Sequence, residues 1–169
     1  MPRSFIQDSD REEVARFIER YWGSRKIMSC GKVYYPEDLE GIIERHDDEM
    51  VGLLTMRVYG KDMEILTVNS VVEGRRIGTS LILAAIEEAR KRACRRVWLV
   101  TTNDNLRAVA LYQRLGFRII EVHVGAVDEA REIKPQIPKT GAQGIEVHDE
   151  IVLELRIKPY AQAEESKEH

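Results

Sequence analysis

The stretch that decides the fold runs Val68-Asn-Ser-Val-Val-Glu-Gly-Arg-Arg-Ile-Gly-Thr-Ser-Leu-Ile82. It joins a strand-like run of residues to a helix-like run through a polar turn that is rich in Gly and Arg. The first backbone N–H groups of a helix have no partner within that helix, so they can donate hydrogen bonds to an anion. This turn therefore predicts an anion-binding site at the start of a helix.

A second stretch follows one helix and one strand later, and it runs Thr101-Thr-Asn-Asp-Asn-Leu-Arg-Ala-Val-Ala-Leu-Tyr-Gln-Arg-Leu-Gly-Phe117. Helical spacing places Asn105, Ala108 and Tyr112 three and four residues apart, so the three side chains share one face of a helix. Gly116 suits the left-handed position that commonly ends a helix. The stretch therefore predicts a helix with one functional face and a defined end.

In this order and at this distance, the two stretches resemble the acetyl-CoA signature of the GNAT superfamily of N-acetyltransferases. The resemblance covers roughly residues 3–157. It implies an α/β fold in which a single mixed, strongly twisted sheet is flanked by helices. In this chain a long insertion, Gly125–Glu150, would separate the last two strands. We expect residues 1–158 to form the acetyltransferase domain and residues 159–169 to form a disordered tail.

The resemblance also implies which residues bind acetyl-CoA. The family's loop pattern is Arg/Gln-x-x-Gly-x-Gly/Ala; here Glu73 takes the first position, Arg76 replaces the first Gly, and Gly78 matches the second. Backbone N–H groups can still bind a pyrophosphate, because their hydrogen bonds do not depend on side-chain identity. An Arg at positive φ would cost about 1 kcal/mol or more, so either Arg76 has ordinary dihedral angles or the loop is less ideal than the family's. The implied contacts are Val68, Ser70, Gly74, Arg75, Arg76, Ile77, Gly78, Thr79, Asn105 and Ala108.

For the chemistry, the resemblance implies that Tyr112 is the general acid that protonates the departing thiolate. A base is needed as well, because an alkyl amine at pH 7 is unprotonated only about one time in 10³, which is equivalent to roughly 4 kcal/mol. Glu64 lies where many family members carry such a base, and Asp149 and Glu150 are weaker candidates. The structural alternatives are a core Tyr whose hydroxyl bonds a backbone carbonyl, and a solvated carboxylate on a strand face.

The resulting hypothesis is an enzyme that moves an acetyl group from acetyl-CoA to a primary amine. By resemblance, both substrates bind together and the amine attacks the thioester directly. A strand bulge near Val68–Ser70 would supply the backbone N–H that holds the thioester oxygen as it gains charge. Two alternatives stay open: a non-catalytic acyl-CoA-binding or sensor module, which the departures at Glu73 and Arg76 favour, and an N-acyltransferase that uses a longer acyl-CoA.

The sequence does not specify the acceptor amine, which can belong to a small molecule or a peptide. We expect the acceptor site between the segment Trp22–Gly31 and the insertion Gly125–Glu150, because these are the parts least like the family. A connection as long as this insertion, with little secondary structure, is usually functional or disordered.

Composition sets the broad class of the protein. The length of 169 residues predicts one domain. The formal net charge is −3 and the acidic and basic residues are interleaved, which predicts no binding of nucleic acid or an anionic membrane. No apolar run approaches the ~20 residues of a membrane-spanning helix, and the start lacks a signal peptide. Cys30 and Cys94 have no metal or redox spacing, which favours a cytoplasmic location, and they form no recognisable Cys/His/Asp arrangement. We expect no metal, because His46, His123 and His148 lack ligand spacing. A homodimer is left open.

Local patterns predict the elements that precede the two stretches. Apolar spacing predicts a helix over Arg11–Tyr21, and Pro36 begins a short helix that ends near Ile42. The segment Trp22–Tyr35 shows little periodicity, so we expect it to be irregular. Trp22 and Trp98 are expected in the core rather than at a ligand.

Overall fold

The computed structural model describes residues 3–72 and 74–158, so Glu73 and the predicted tail lie outside the described residues. Its elements are two strands in a hairpin, a larger sheet of 7 strands, and helices on both faces of that sheet. The strands are β1 Arg3–Phe5, β2 Ile27–Ser29, β3 Lys32–Tyr34, β4 Glu40–His46, β5 Glu49–Tyr59, β6 Asp62–Ser70, β7 Arg96–Thr102, β8 Arg118–His123 and β9 Glu150–Arg156. The helices are α1 Arg11–Trp22, α2 Ile77–Lys91, α3 Leu106–Arg114 and α4 Ala126–Ile133.

The large sheet has the order β1-β4-β5-β6-β7-β9-β8. Its neighbouring strands pair antiparallel, except that β6 and β7 run parallel. A parallel pair needs a crossover connection, and here α2 provides it. The predicted α/β class with a mixed sheet flanked by helices is confirmed.

Two apolar clusters hold the layers together, one on each face of the sheet. Ile42 and Leu54 pack with α2, whereas their chain neighbours Ile43 and Leu53 pack with α1. Successive strand residues point to opposite faces, so the two helices cover opposite sides. Within the described ranges, no helix is both long and apolar enough to cross a membrane.

Gly52 on β5 sets how closely α2 approaches the sheet. A Cβ atom at this position would lie 2.5 Å from Ile77 Cγ2 and 3.1 Å from Leu81 Cδ1. Both contacts are with the first turns of α2, so the missing side chain lets the start of that helix lie directly on β5. This placement matters because the predicted anion site is at the start of α2.

Two local predictions were wrong. The segment predicted to be irregular contains the β2–β3 hairpin, whose turn residues Cys30 and Gly31 have φ of 49° and 76°. Two central residues with positive φ are typical of a hairpin turn. Cys is not a usual residue at such a position, so the sequence pattern did not indicate a turn here. The helix predicted from Pro36 is a single 3₁₀ turn over Pro36–Asp38, because the strand pairing of β4 with β5 already begins at Glu40.

The connection between β8 and β9 is ordered by hydrogen bonds to its neighbours. The Asn103 side chain accepts from the backbone N–H groups of His148 and Asp149, at 2.9 and 3.0 Å. On the other side, Lys134 Nζ donates to the backbone carbonyl of Lys26 at 3.0 Å. The connection therefore lies between the end of β7 and the segment that leads into the hairpin.

Candidate active site

The site is organised by the point at which β6 and β7 stop pairing. The two strands share a parallel register only from Asp62 with Arg96 to Ile65 with Leu99. Beyond that point β6 continues to Ser70 and β7 to Thr102 without hydrogen-bonding each other. The backbone at this edge of β6 is therefore available to a ligand inserted between the strands.

The predicted bulge exists, but its predicted position was wrong. Thr55 pairs with Thr67 and Met56 pairs with Ile65, which leaves Leu66 as the extra residue on β6. Val68 and Ser70 pair regularly with β5. The bulge thus lies at the residue that follows the last β6–β7 pair, so the distortion of β6 coincides with the separation of the strands.

The start of α2 has the features of an anion site. Its N-cap residue, Arg76, makes no side-chain capping hydrogen bond to the described part of the chain, and the first backbone N–H groups of a helix point out of its end. The loop uses left-handed backbone at Gly74, with φ of 80°, and at Arg76, with φ of 54°. Arg76 therefore lacks ordinary dihedral angles, and the loop carries a strain of about 1 kcal/mol that a Gly would avoid. Arg75 and Arg76 are both exposed and can place positive charge beside an anion.

Gly78 keeps space open above the first turn of α2. A Cβ atom added there would meet only Val68 Cγ1, at 3.8 Å, which is an ordinary contact. The fold itself therefore does not require Gly at this position. The absence of a side chain leaves room between α2 and the unpaired end of β6.

Helix α3 carries the second predicted group of residues. Asn105 caps this helix, because its side-chain oxygen accepts from Ala108 N–H at 3.3 Å. Tyr112 is half-buried and packs on Phe117, with ring centroids 5.9 Å apart. Among the described residues its hydroxyl has no hydrogen-bond partner, so the alternative of a core Tyr tied to a backbone carbonyl is not observed. Burial raises the pKa of Tyr112, so the hydroxyl keeps its proton at neutral pH.

Glu64 lies on the other face of the sheet and is only 4% exposed. Ser29 Oγ donates to its carboxylate at 2.8 Å, and Arg57 Nε lies 3.9 Å away. Burial raises the pKa of Glu64, while the Ser29 hydrogen bond and the Arg57 charge lower it by less. Glu64 is therefore not a solvated surface charge, and its raised pKa brings it closer to the range of a working base.

A cavity of about 410 Å³ opens beside Glu64. Its walls combine aromatic rings with cations: the Arg57 guanidinium lies over the rings of Tyr34 and Tyr59, and that of Arg96 lies 5.4 Å from the ring of Trp98. Such a volume is within the range of small-molecule sites. A second cavity of about 420 Å³ lies between the hairpin and α4, and Cys30 borders both cavities.

The family model described as Acetyltransferase (GNAT) family matches residues 6–117. The chain belongs to the GNAT family. The Bacillus subtilis protein YxbD is 36% identical over 144 residues, which cover 85% of this chain and 91% of YxbD. The IAA acetyltransferase of Bacillus cereus has a TM-score of 0.69 at 20% identity and covers 92% of this chain and 99% of its own. A Bacillus subtilis acetyltransferase in complex with CoA has a TM-score of 0.65 at 18% identity, with coverage of 92% and 98%.

In the structure, the predicted site residues lie in two groups, one on each face of the sheet. Val68 and Ser70 lie on β6, Gly74 to Thr79 lead into and begin α2, and Asn105, Ala108 and Tyr112 follow at the start of α3 and along it. Glu64 is separated from them by the sheet, but it lies one residue before the last β6–β7 pair. The gap between the strands is therefore the place where groups from both faces can reach one ligand.

Sequence reasoning missed several residues of this GNAT site. Ser29 holds Glu64 but comes from the hairpin, which was predicted to be irregular. Trp98, predicted in the core, is half-buried and lines the first cavity, and Trp22 is 40% exposed with its Nε1 donating to Asn69 Oδ1 at 2.6 Å. Asp149 accepts from Gly125 N–H at 2.9 Å, which gives it a structural role.

Glu64 makes a prediction about folding stability. The pKa of Glu64 is raised in the folded state. As the pH rises through the value of about 4.3 of an unfolded Glu, the unfolded chain loses this proton while the folded chain keeps it. The free energy of unfolding therefore falls from that pH up to the folded-state pKa. A Gln does not titrate. We therefore expect the thermal midpoint of Glu64→Gln, relative to wild type, to improve between pH 4 and pH 7. Differential scanning calorimetry at both pH values measures this, and Glu49→Gln on the exposed start of β5 controls for the lost charge. A relative midpoint that stays constant or worsens would contradict the argument.

Proposed function

We propose that this GNAT protein is an acetyl-CoA-dependent N-acetyltransferase that acetylates a primary amine by direct attack in a ternary complex. The observation that supports this most is that Glu64 and Tyr112 lie on opposite faces of the sheet, with Glu64 next to the last pair of β6 with β7. A thioester held in that gap would have a base on one side and an acid on the other. The CoA complex of the similar Bacillus subtilis acetyltransferase agrees with the choice of donor.

In the proposed reaction, the pyrophosphate of acetyl-CoA accepts hydrogen bonds from the backbone of Gly74–Thr79 and the start of α2. The pantetheine arm runs past Gly78 and Val68 towards Asn105 and Ala108. The bulge at Leu66 presents backbone N–H to the thioester oxygen. This bulge, rather than Val68 to Ser70, is the better candidate, because it adjoins the last pair of β6 with β7.

The amine approaches through the cavity beside Glu64. Glu64 takes the proton from the ammonium, directly or through a water, and the free nitrogen attacks the thioester carbonyl. The C–N bond forms, the C–S bond breaks, and Tyr112 donates its proton to the sulfur that leaves. The attacking nitrogen loses its second proton when the tetrahedral intermediate collapses to the amide. Of the two protons that the ammonium has lost, one returns to the Tyr112 phenolate and the other goes to solvent, which restores the Glu64 carboxylate. The products are an amide and CoA with a protonated thiol.

Direct attack is preferred to an acetyl-cysteine intermediate for an electrostatic reason. Burial raises the pKa of the Cys30 thiol, and the carboxylates of Glu150 and Glu64 raise it further. The thiol near the site is therefore a poor nucleophile at neutral pH, because the thiolate is the reactive form. Cys94 is buried, and burial raises its pKa as well.

A non-catalytic acyl-CoA-binding module is the second candidate. The strained Arg76 and the departure at Glu73 favour it, because both weaken the loop pattern that the family uses. The buried Glu64 favours the enzyme, since a binding module has no use for a carboxylate with a raised pKa. No structural observation favours a longer acyl chain.

The acceptor amine is proposed to be a small molecule or one end of a peptide, as the cavity volume suits either. The hairpin lines both cavities, and the connection that contains α4 lines the second, so these segments are the proposed determinants of acceptor choice. A homodimer stays a prediction. Exposed apolar side chains on the edge strand β8, Ile119, Ile120 and Val122, support it.

The first test of this function is stabilisation by acetyl-CoA. At about 100 times Kd a ligand of the folded state adds roughly 2.7 kcal/mol, which corresponds to about 5–10 °C in the thermal midpoint of a chain of this size. Gly78→Val should remove the shift and spare the fold, because a Cβ there meets only Val68 at 3.8 Å. Differential scanning fluorimetry measures both effects. Leu83→Val, at an exposed position of the same helix, is the matched control and should keep the shift. No shift in the wild type would refute the assignment.

Tyr112→Phe tests the general acid. The variant should keep the acetyl-CoA thermal shift, because the hydroxyl has no hydrogen-bond partner within residues 3–72 and 74–158, and should lose about 10²–10⁴-fold in turnover. Release of free thiol across a library of amines measures turnover. Tyr21→Phe on α1 removes a hydroxyl elsewhere and should leave turnover unchanged. Wild-type turnover in Tyr112→Phe would return this residue to a packing role.

Glu64→Gln tests the base through its pH profile. The variant should lose most activity near neutral pH, where the amine is protonated, and recover towards the amine's pKa of about 10, where free amine needs no base. The ratio of variant to wild-type kcat/KM is therefore expected to rise with pH. A ratio that does not change with pH would remove Glu64 from the mechanism.

A further inference from the structure

Three metal-ligating side chains meet on the hairpin side of the site. Cys30 lies in the β2–β3 turn, His123 is the last residue of β8, and Glu150 is the first residue of β9. One ligand atom from each residue lies within 4.8 Å of the others. The sequence predicted no metal, because these residues are far apart along the chain and show no ligand spacing. Strand pairing of β8 with β9, which sets His123 opposite Glu150, brings two of them together.

Glu150 supplies a second observation that points to a ligand. It is only 7% exposed, and its Oε2 is buried without a hydrogen-bond partner among the described residues. A buried carboxylate without a compensating partner is costly. The carboxylate therefore has one unused position where a cation would remove the cost.

His123 has a carboxylate beside its ring, as many metal-bound imidazoles do. Its Nε2 lies 3.1 Å from a carboxylate oxygen of Glu121, two residues earlier on β8. A negative charge beside the ring strengthens the imidazole as a ligand for a cation.

The local charge also favours a cation. Besides Glu150, two further carboxylates lie close to these side chains: Glu64 accepts from Ser29, the neighbour of Cys30, and Glu121 lies 3.1 Å from His123. A dication at the same place would be attracted by these carboxylates and would stabilise the thiolate. The thiol that is a poor nucleophile alone is thus a competent ligand once a metal is bound.

We propose that Cys30, His123 and Glu150 bind one divalent transition-metal ion, most readily Zn²⁺. Sulfur, nitrogen and a single carboxylate suit Zn²⁺, whereas Mg²⁺ and Ca²⁺ prefer sites made of oxygen ligands. Three protein ligands leave a fourth position, which faces the cavities that Cys30 borders. The ion would tie the hairpin turn to the β8–β9 edge of the sheet. It would also hold Ser29, the neighbour of Cys30, over Glu64. The proposal does not depend on the acetyltransferase assignment.

The experiment starts from the full chain after treatment with a chelator and a reductant. Co²⁺ is titrated in, and the thiolate-to-cobalt charge-transfer absorption is followed; Zn²⁺ is then added to displace it. We expect one Co²⁺ per chain, a charge-transfer band, and loss of that band on addition of one equivalent of Zn²⁺. Absence of the band, or binding without a thiolate, would overturn the proposal.

Variants assign the ligands. Cys30→Ser should abolish the band, and Glu150→Gln should weaken Co²⁺ binding at least about 10-fold. Glu150→Gln should still fold, because it replaces a buried charge by a neutral group of similar shape, and circular dichroism of the metal-free variant checks this. Cys94→Ala and His148→Gln are the matched controls, the second because His148 contacts Asp128 and Glu146 in a separate acidic group. A band that persists in Cys30→Ser or disappears in Cys94→Ala would place the metal elsewhere and refute the site.

Discussion

The point at which β6 and β7 stop pairing is the constraint on which the rest of this structure depends. Two parallel strands that share pairing only up to Ile65 and Leu99 must leave backbone unpaired beyond that point. Unpaired backbone in the middle of a sheet is costly unless a ligand or water satisfies it. The fold places the start of α2 and the helix α3 on one side of this gap, and the buried Glu64 on the other. The chemistry proposed for the protein uses both sides.

The pKa values of Glu64 and Tyr112 are set by burial more than by ion pairing. Glu64 is covered by the hairpin and has one hydroxyl donor in Ser29 and a cation, Arg57, at 3.9 Å. This compensation is incomplete, so the carboxylate holds its proton more tightly than an exposed Glu does. Tyr112 is half-buried, its hydroxyl has no hydrogen-bond partner among the residues that the structure describes, and it likewise keeps its proton. Partial burial thus raises the pKa of both residues that are proposed as the base and the acid.

The β2–β3 hairpin links the site to the outer strands. Its first strand carries Ser29 over Glu64, and its turn carries Cys30 against Glu150. The connection that contains α4 contacts the same region through Lys134. The hairpin lies within residues 6–117, which the family model matches, whereas the connection lies outside them. Together the two segments line the second cavity.

The sequence by itself determined the family, the α/β class and the two helices that carry the signature. It could do so because a helix start at Ile77 and a shared face of Asn105 and Tyr112 depend on residues close together in the chain. Only the tertiary structure decided which strand residue bulges, that Ser29 bonds Glu64, and that Cys30 meets His123 and Glu150. These contacts join residues that are far apart in the sequence, and strand register, which local patterns do not encode, brings them together.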